Sequence, residues 1–151
     1  MTKLFFDTNI WVRYLIKDEL KQFAAVKELL ASVEEGKYQP YISSIVLLEL
    51  SYVLKSVYRF AFDEVLDALQ AVTATRGIII IETTDSALAL ACFKTYKIKF
   101  TDCLLASQIR KDIVLITFDE ELRKIRELTV KTPEEVLKDK TEKGLKEQVP
   151  S

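Results

Sequence analysis

The chain has 151 residues, 49% hydrophobic and 30% charged, with three Gly and three Pro. That is enough for one domain with a core of ordinary size, and too little Gly and Pro for a flexible linker or a turn-dense all-β sandwich. Lys plus Arg (22) nearly cancels Asp plus Glu (23), so no strong whole-molecule field draws in a polyanion and nucleic acid must be held by a local patch. Histidine is absent, which excludes His-dependent triads, His-Cys zinc sites and His-based nucleases and leaves carboxylates as the chemistry-bearing groups.

Residues 3–7 (KLFFD) form a short apolar run ending in an acid. They lead into a helix over 8–17 through Ile10, Tyr14 and Leu15. A second helix, from Glu19 to about Glu35, carries Phe23, Val26, Leu29, Leu30 and Val33 and stops at Gly36, which suits a C-cap. Residues 40–43 give a brief strand, with Ser43 or Ser44 placed to cap a long helix running to about Tyr58. Asp63 opens a further helix ending near Gly77. Ile78 to Ile81 is apolar on both faces, as a buried parallel strand requires, which places it at the sheet centre or beside it.

A helix over 84–97 follows, capped by Thr84 or Asp85, then a helix over 101–111 and the strand Ile113 to Thr117. A short helix over 119–127, an edge strand from Thr129 to Lys131 and a last helix opening at Thr132 and Pro133 complete the order. Past Lys138 the sequence is charged, so a single domain over 1–138 and a frayed tail over 139–151 are expected. Strands alternating with helices predict an α/β fold: a parallel sheet with right-handed crossovers and helices on both faces, a three-layer α/β/α sandwich. Asp7 interrupts the N-terminal apolar run, and no later apolar stretch approaches about 18 residues, so a cytoplasmic location is expected. Cys92 and Cys103 lack metal-ligand spacing and read as packing residues.

In open α/β sheets, ligands gather beyond the carboxyl ends of the strands. Asp7 ends the first strand there and Asp119 follows the fourth, although a helix N-cap accounts for each of them equally well. Asp63 and Asp85 read as such caps and carry no assigned chemistry. Glu49 sits inside IVLLELSYVL, and at about 100° per residue it lies roughly 140° from the stripe formed by Ser44, Ser51 and Lys55. A carboxylate on an apolar face needs a basic partner or a cation. Asp102 opens the helix TDCLLASQIRK beside Thr101, again a position where capping alone would serve. As a set, the four acids make a site for a hard divalent cation such as Mg²⁺, which takes oxygen ligands and stabilises carboxylates that would otherwise repel one another. Such an ion also activates water and offsets phosphate charge, the work that histidine does elsewhere.

The stretches FFDTNIWVRYLI, YISSIVLLELSYVL, FTDCLLASQI and LITFDEEL, in that order over roughly residues 3–130, resemble the PIN-domain nucleases, especially the VapC-like toxins of toxin–antitoxin pairs. The resemblance implies a five-stranded parallel sheet ordered 3-2-1-4-5, a Mg²⁺ or Mn²⁺ site, and hydrolysis of RNA by an endoribonuclease. It carries the family's acids onto Asp7, Glu49, Asp102 and Asp119, and the accompanying polar residues onto Thr8, Asn9 and Thr117. Thr117 would orient Asp119 or a metal-bound water, a role that an ordinary strand threonine rivals. Departures are mild: Cys103 stands where alanine is usual, and Leu122 where an aromatic is common.

On that reading Asp7, with Asp102 or Asp119 and waters, holds the metal while Glu49 orients or deprotonates the attacking water. Arg13, Lys55, Arg59, Lys94, Lys97 and Lys99 are the RNA-backbone candidates. Trp11, Tyr14, Phe23 and Val26 offer apolar surface for a partner, with core packing as the competing fate. The resemblance further implies an antitoxin chain and a homodimer. A haloacid-dehalogenase-like phosphatase would need a second Asp at position 9, where this chain has Asn9. A phospho-receiver domain would need an acidic pair, a phosphoacceptor Asp and a lysine at spacings not found here. A PIN-like fold kept as a non-catalytic RNA- or protein-binding module remains the alternative.

Overall fold

The computed structural model describes residues 1–148. The chain folds as β1 (Thr2–Phe6), α1 (Thr8–Ile16), α2 (Leu20–Glu34), β2 (Tyr38–Ser43), α3 (Ser44–Ser56), α4 (Phe62–Thr73), β3 (Ile79–Ile81), α5 (Ser86–Tyr96), α6 (Phe100–Gln108) and β4 (Ile113–Ile116). A 3₁₀ turn (Glu120–Lys124), β5 (Thr129–Lys131) and α7 (Pro133–Gln148) follow. All strand pairings are parallel, and the sheet order is β3-β2-β1-β4-β5, the order the resemblance implied.

The central place of β1 follows from its composition. Leu4, Phe5 and Phe6 are consecutive and all fully buried, which requires cover on both faces because successive side chains point opposite ways. α1 packs against α2 and α3, α2 also meets α7, and α4 leans on α3, while α5 and α6 pack on each other. Leu29, Val33, Val46, Leu50, Leu54 and Leu105 complete the core with the strand residues.

Several local expectations shift. Ile78 to Ile81 is not central: β3 lies at the sheet edge, with Ile79 43% exposed. A β-branched run reports that a strand is partly covered, not whether another strand lies beside it. Asp63 is not the cap of α4; Ala61 holds that position, and its N–H is met by Glu64 Oε1 at 2.9 Å. Asp85 does cap α5, accepting from Leu88 N–H at 3.0 Å. The stretch after Asp119 closes as a five-residue 3₁₀ turn rather than a longer helix. α7 continues past Lys138 to Gln148, tied back where Lys131 donates to Asp139 at 2.5 Å. The end of the expected tail, 149–151, lies outside the described residues. Among the described residues no helix is long and apolar enough to cross a membrane.

Candidate active site

β1 and β4 run side by side with Phe6 opposite Ile116, so the residues that follow each strand meet at one rim. There the backbone N–H of Asp7 donates to Ile116 O at 3.0 Å. Asp7 N-caps α1, its Oδ1 accepting from Thr8 N–H at 2.8 Å. Its Oδ2 accepts from the Thr117 hydroxyl, also at 2.8 Å. That hydroxyl in turn accepts from Asn9 Nδ2 at 2.9 Å and from the N–H of Asp119 at 3.0 Å. One donor and two acceptors exhaust a threonine hydroxyl, so Thr117 knots together the residues after β1 and those after β4. Asn9 adds a second tie, its Oδ1 accepting from Phe118 N–H at 3.2 Å. Asp119 also caps the 3₁₀ turn through Glu121 N–H at 3.0 Å; capping and site geometry are served by the same carboxylate.

Glu49 reaches the rim from α3. Its Oε1 accepts from the Thr8 hydroxyl at 2.5 Å, and its Oε2 lies 3.8 Å from Lys99 Nζ. Lys99 is 67% exposed and Glu49 23%, so this is a solvent-screened pairing rather than neutralisation by a buried base. On α3 Leu48 and Tyr52 are exposed along with Lys55 and Ser56, whereas Ser44 and Ser51 are half-buried; the water-facing side is more apolar than the Ser44, Ser51 and Lys55 stripe suggested.

Asp102 is the third residue of α6, not its cap, and is buried at 4% exposure. Its Oδ2 has no hydrogen-bond partner in the structure, which is costly for a buried carboxylate oxygen. Asp7, Glu49, Asp102 and Asp119 all line one cavity of about 260 Å³ together with Thr8, Asn9, Arg13 and Lys99. Of the six basic candidates, Arg13 and Lys99 are at this cavity; Lys55, Arg59, Lys94 and Lys97 are not among its lining residues. Arg13 is held by Asp18 at 2.6 Å. Trp11 and Val26 belong to the core, whereas Tyr14 and Phe23 stack at 6.0 Å on a partly open surface.

Sequence reasoning missed Val12, Val53, Val57 and Tyr58, which also line the cavity. The signal was present for two of them. Val53 and Val57 stand four and eight residues after Glu49, one helical stripe with it.

Burial pushes the Asp7 carboxyl up to about 6, against the Thr117 and Thr8 hydrogen bonds, and the charges of Glu49 and Asp119 push it the same way. Burial likewise raises Asp102, to about 7; Asp7 adds to this, Lys99 opposes it, and Asp119 and Glu49 contribute further. The two innermost acids are thus short of positive charge.

Among the described residues, no three His, Cys, Asp or Glu side chains gather tightly enough for a ready-made metal cage. Mg²⁺ does not need one, since it is ordinarily bound by one or two carboxylates and keeps several waters. The unpartnered Asp102 Oδ2 and the buried Asp7 fit a hydrated hard cation, and the all-oxygen donor set does not suit a soft one.

A pH dependence follows. Asp7 and Asp102 have folded-state pKa values above the unfolded value of 3.8, so between about pH 4 and 7 the folded chain binds more protons than the unfolded one. Stability therefore falls as pH rises through that window. Glu35, Asp112 and Asp139, lowered by neighbouring lysines, act with the opposite sign at lower pH, where they protonate. Thermal melts in EDTA should give a lower Tm at pH 7.5 than at pH 5.5, with Mg²⁺ flattening the slope. A Tm in EDTA that is level or climbs over this range would contradict the assignment.

Comparison with known proteins agrees with this geometry. The PIN domain family matches residues 4–128. VapBC2 from Rickettsia felis, solved bound to a DNA fragment from its promoter, is similar in fold at TM-score 0.65 and 22% identity, covering 85% of this chain and 97% of that one. DNA-bound VapBC from Salmonella typhimurium gives 0.63 and 18%, covering 88% and 99%, and a toxin–antitoxin complex from Klebsiella pneumoniae 0.57 and 24%, covering 87% and 98%. None of the curated proteins matches the chain in sequence. Because the family match runs from β1 to the residue before β5 and takes in every acid at the rim, the chain belongs to the PIN domain family.

Proposed function

We propose that the chain is a Mg²⁺- or Mn²⁺-dependent endoribonuclease, the toxin of a toxin–antitoxin pair. The observation that carries the reading is the buried, unpartnered Oδ2 of Asp102 in a cavity shared with Asp7, Glu49 and Asp119. Asp7, Asp102 and Asp119 are the groups that would hold the metal. When bound there, the cation supplies charge that offsets the developing negative charge on phosphate and acidifies water. Thr117 and Asn9 hold Asp7 and the Asp119 backbone in register, and Thr8 fixes Glu49 through Oε1. Glu49 Oε2, free of Thr8, takes the proton of the water that attacks phosphorus in line. The P–O3′ bond breaks, the leaving O3′ takes a proton from solvent water to become a 3′-hydroxyl, and the other fragment carries a 5′-phosphate. Arg13 and Lys99 at the rim supply backbone contacts to the strand.

Cleavage of total RNA by the purified chain should stop with excess EDTA and return with Mg²⁺ or Mn²⁺, and the products should carry 5′-phosphate and 3′-hydroxyl ends. Cleavage that persists in EDTA, or cyclic phosphate ends, would refute the mechanism.

An antitoxin and a second copy of the chain are the proposed protein partners. Two open apolar surfaces support them: the Tyr14 and Phe23 stack beside a groove of about 320 Å³ between α1, α2 and α4, and Leu48 and Tyr52 on α3. One observation favours the rival reading of a non-catalytic module: the acids do not form a preassembled cage. Calorimetry with Mg²⁺ on wild type and Asp7→Asn separates the two, because the module predicts no binding in either.

A further inference from the structure

The carboxylate cavity has a second, apolar wall. Val12 from α1, and Val53, Val57 and Tyr58 from the end of α3 and the turn after it, line the same space of about 260 Å³ as the four acids. A phosphate or a hydrated cation gains nothing from valine methyls or a phenol ring, since desolvating ionic groups against apolar surface is unfavourable. Val57 is nevertheless 62% exposed and Tyr58 half-buried at the mouth of this polar site.

The backbone of the wall is hydrogen-bonded through its turn. Val57 N–H and Tyr58 N–H both donate to Val53 O, at 2.9 and 3.3 Å, and Phe60 N–H donates to Leu54 O at 2.9 Å. Arg59 completes the turn in the left-handed region at φ 60°. The Tyr58 ring itself packs in part against the core.

The cavity is smaller than the roughly 300–1,000 Å³ of common small-molecule pockets. Resting on the ribonuclease reading above, we infer that Tyr58, with Val53 and Val57, forms a base-binding subsite that stacks an unpaired nucleobase next to the bond to be cut. The wall then selects single-stranded or looped RNA, in which a base can leave its neighbours and lie on an aromatic face. It supplies affinity that the balanced net charge of the chain does not.

The test is equilibrium binding of a short, end-labelled single-stranded oligoribonucleotide, and of versions in which one abasic site is walked through it. Binding is measured with the full chain carrying Asp102→Asn, which lessens repulsion and disables cutting. One abasic position should weaken binding roughly 5- to 150-fold, the range expected for loss of one stacked base. Tyr58→Ala should weaken the intact oligonucleotide to the same degree and add nothing at that abasic position, and Tyr58→Phe should regain affinity. Tyr58→Leu, which keeps apolar bulk and so guards against a folding defect, should bind as Ala does. The subsite is overturned if no abasic position matters, if the Leu variant weakens intact and abasic strands alike, or if the chain binds no RNA. Binding without cleavage when Asp102 is intact refutes the nuclease reading instead, and leaves the subsite standing.

Discussion

Asp102→Asn should make the protein more stable and less active at once. In EDTA at pH 7.5 the variant should melt several degrees above wild type, because the substitution removes a carboxyl that burial holds at about 7. Ionising such a group in the folded state costs on the order of 2–4 kcal/mol relative to the unfolded chain. For a chain of this size each kcal/mol is worth about 2–4 °C. No hydrogen bond is lost at Oδ2, which has none; the new amide leaves one buried polar atom unsatisfied, as the carboxylate did. Cleavage should fall by roughly a hundredfold or more, since a cation's help with phosphate charge is worth several kcal/mol and each ~1.4 kcal/mol is tenfold in rate. Mg²⁺ should raise the Tm of wild type and leave that of the variant nearly unmoved. A variant that melts below wild type in EDTA would show that Asp102 is structurally satisfied and not kept at a stability cost for function.

Thr117→Val should be the most damaging conservative change at the rim. Valine matches the shape and suits extended backbone, and the backbone bond from Thr117 N–H to Lys131 O at 3.1 Å survives. The hydroxyl is what matters. Its loss strands Asp7 Oδ2, Asn9 Nδ2 and the Asp119 N–H together, at a site 1% exposed. With a buried group left unpaired costing about 1–3 kcal/mol, and neighbouring losses not fully additive, a destabilisation of roughly 3 kcal/mol or more is expected from urea unfolding. Activity should drop as well, because Asp7 and Asp119 lose their common anchor. Thr117→Ser keeps the hydroxyl and should recover most of both. A Val variant within about 0.5 kcal/mol of wild type would mean the knot contributes nothing.

Of the four acids only Glu49 stands where its surroundings ask for an explanation. Asp7, Asp102 and Asp119 could each be plain helix caps, and the resemblance to PIN domains is what sets the four together. Asp7 and Asp119 end strand patterns, and Glu49 interrupts a helix stripe that is otherwise apolar. What the sequence could not carry was the pairing between distant segments. Thr8 meeting Glu49, or Thr117 serving three partners, depends on which strands are neighbours, and strand order is a property of the whole sheet. The same limit misplaced β3: four isoleucines signal cover from helices, and an edge strand flanked by helices receives that cover too. Tyr58 was passed over for a different reason. It lies where the helical pattern of α3 gives way to a turn, and periodicity stops pointing once the helix stops.

The register between β1 and β4 also constrains when the pocket can exist. Phe6 pairs with Ile116, and Asp7 is locked by Thr117, so β1, which meets β2 early, finds its second neighbour β4 only after more than a hundred further residues. Parallel pairings of such separation form late, since loop closure precedes any reward from contact. A nascent chain stalled before β4 therefore carries Asp7, Glu49 and Asp102 without bringing Asp119 to them. Translation itself withholds the assembled carboxylate rim until β4 and the residues after it have been made.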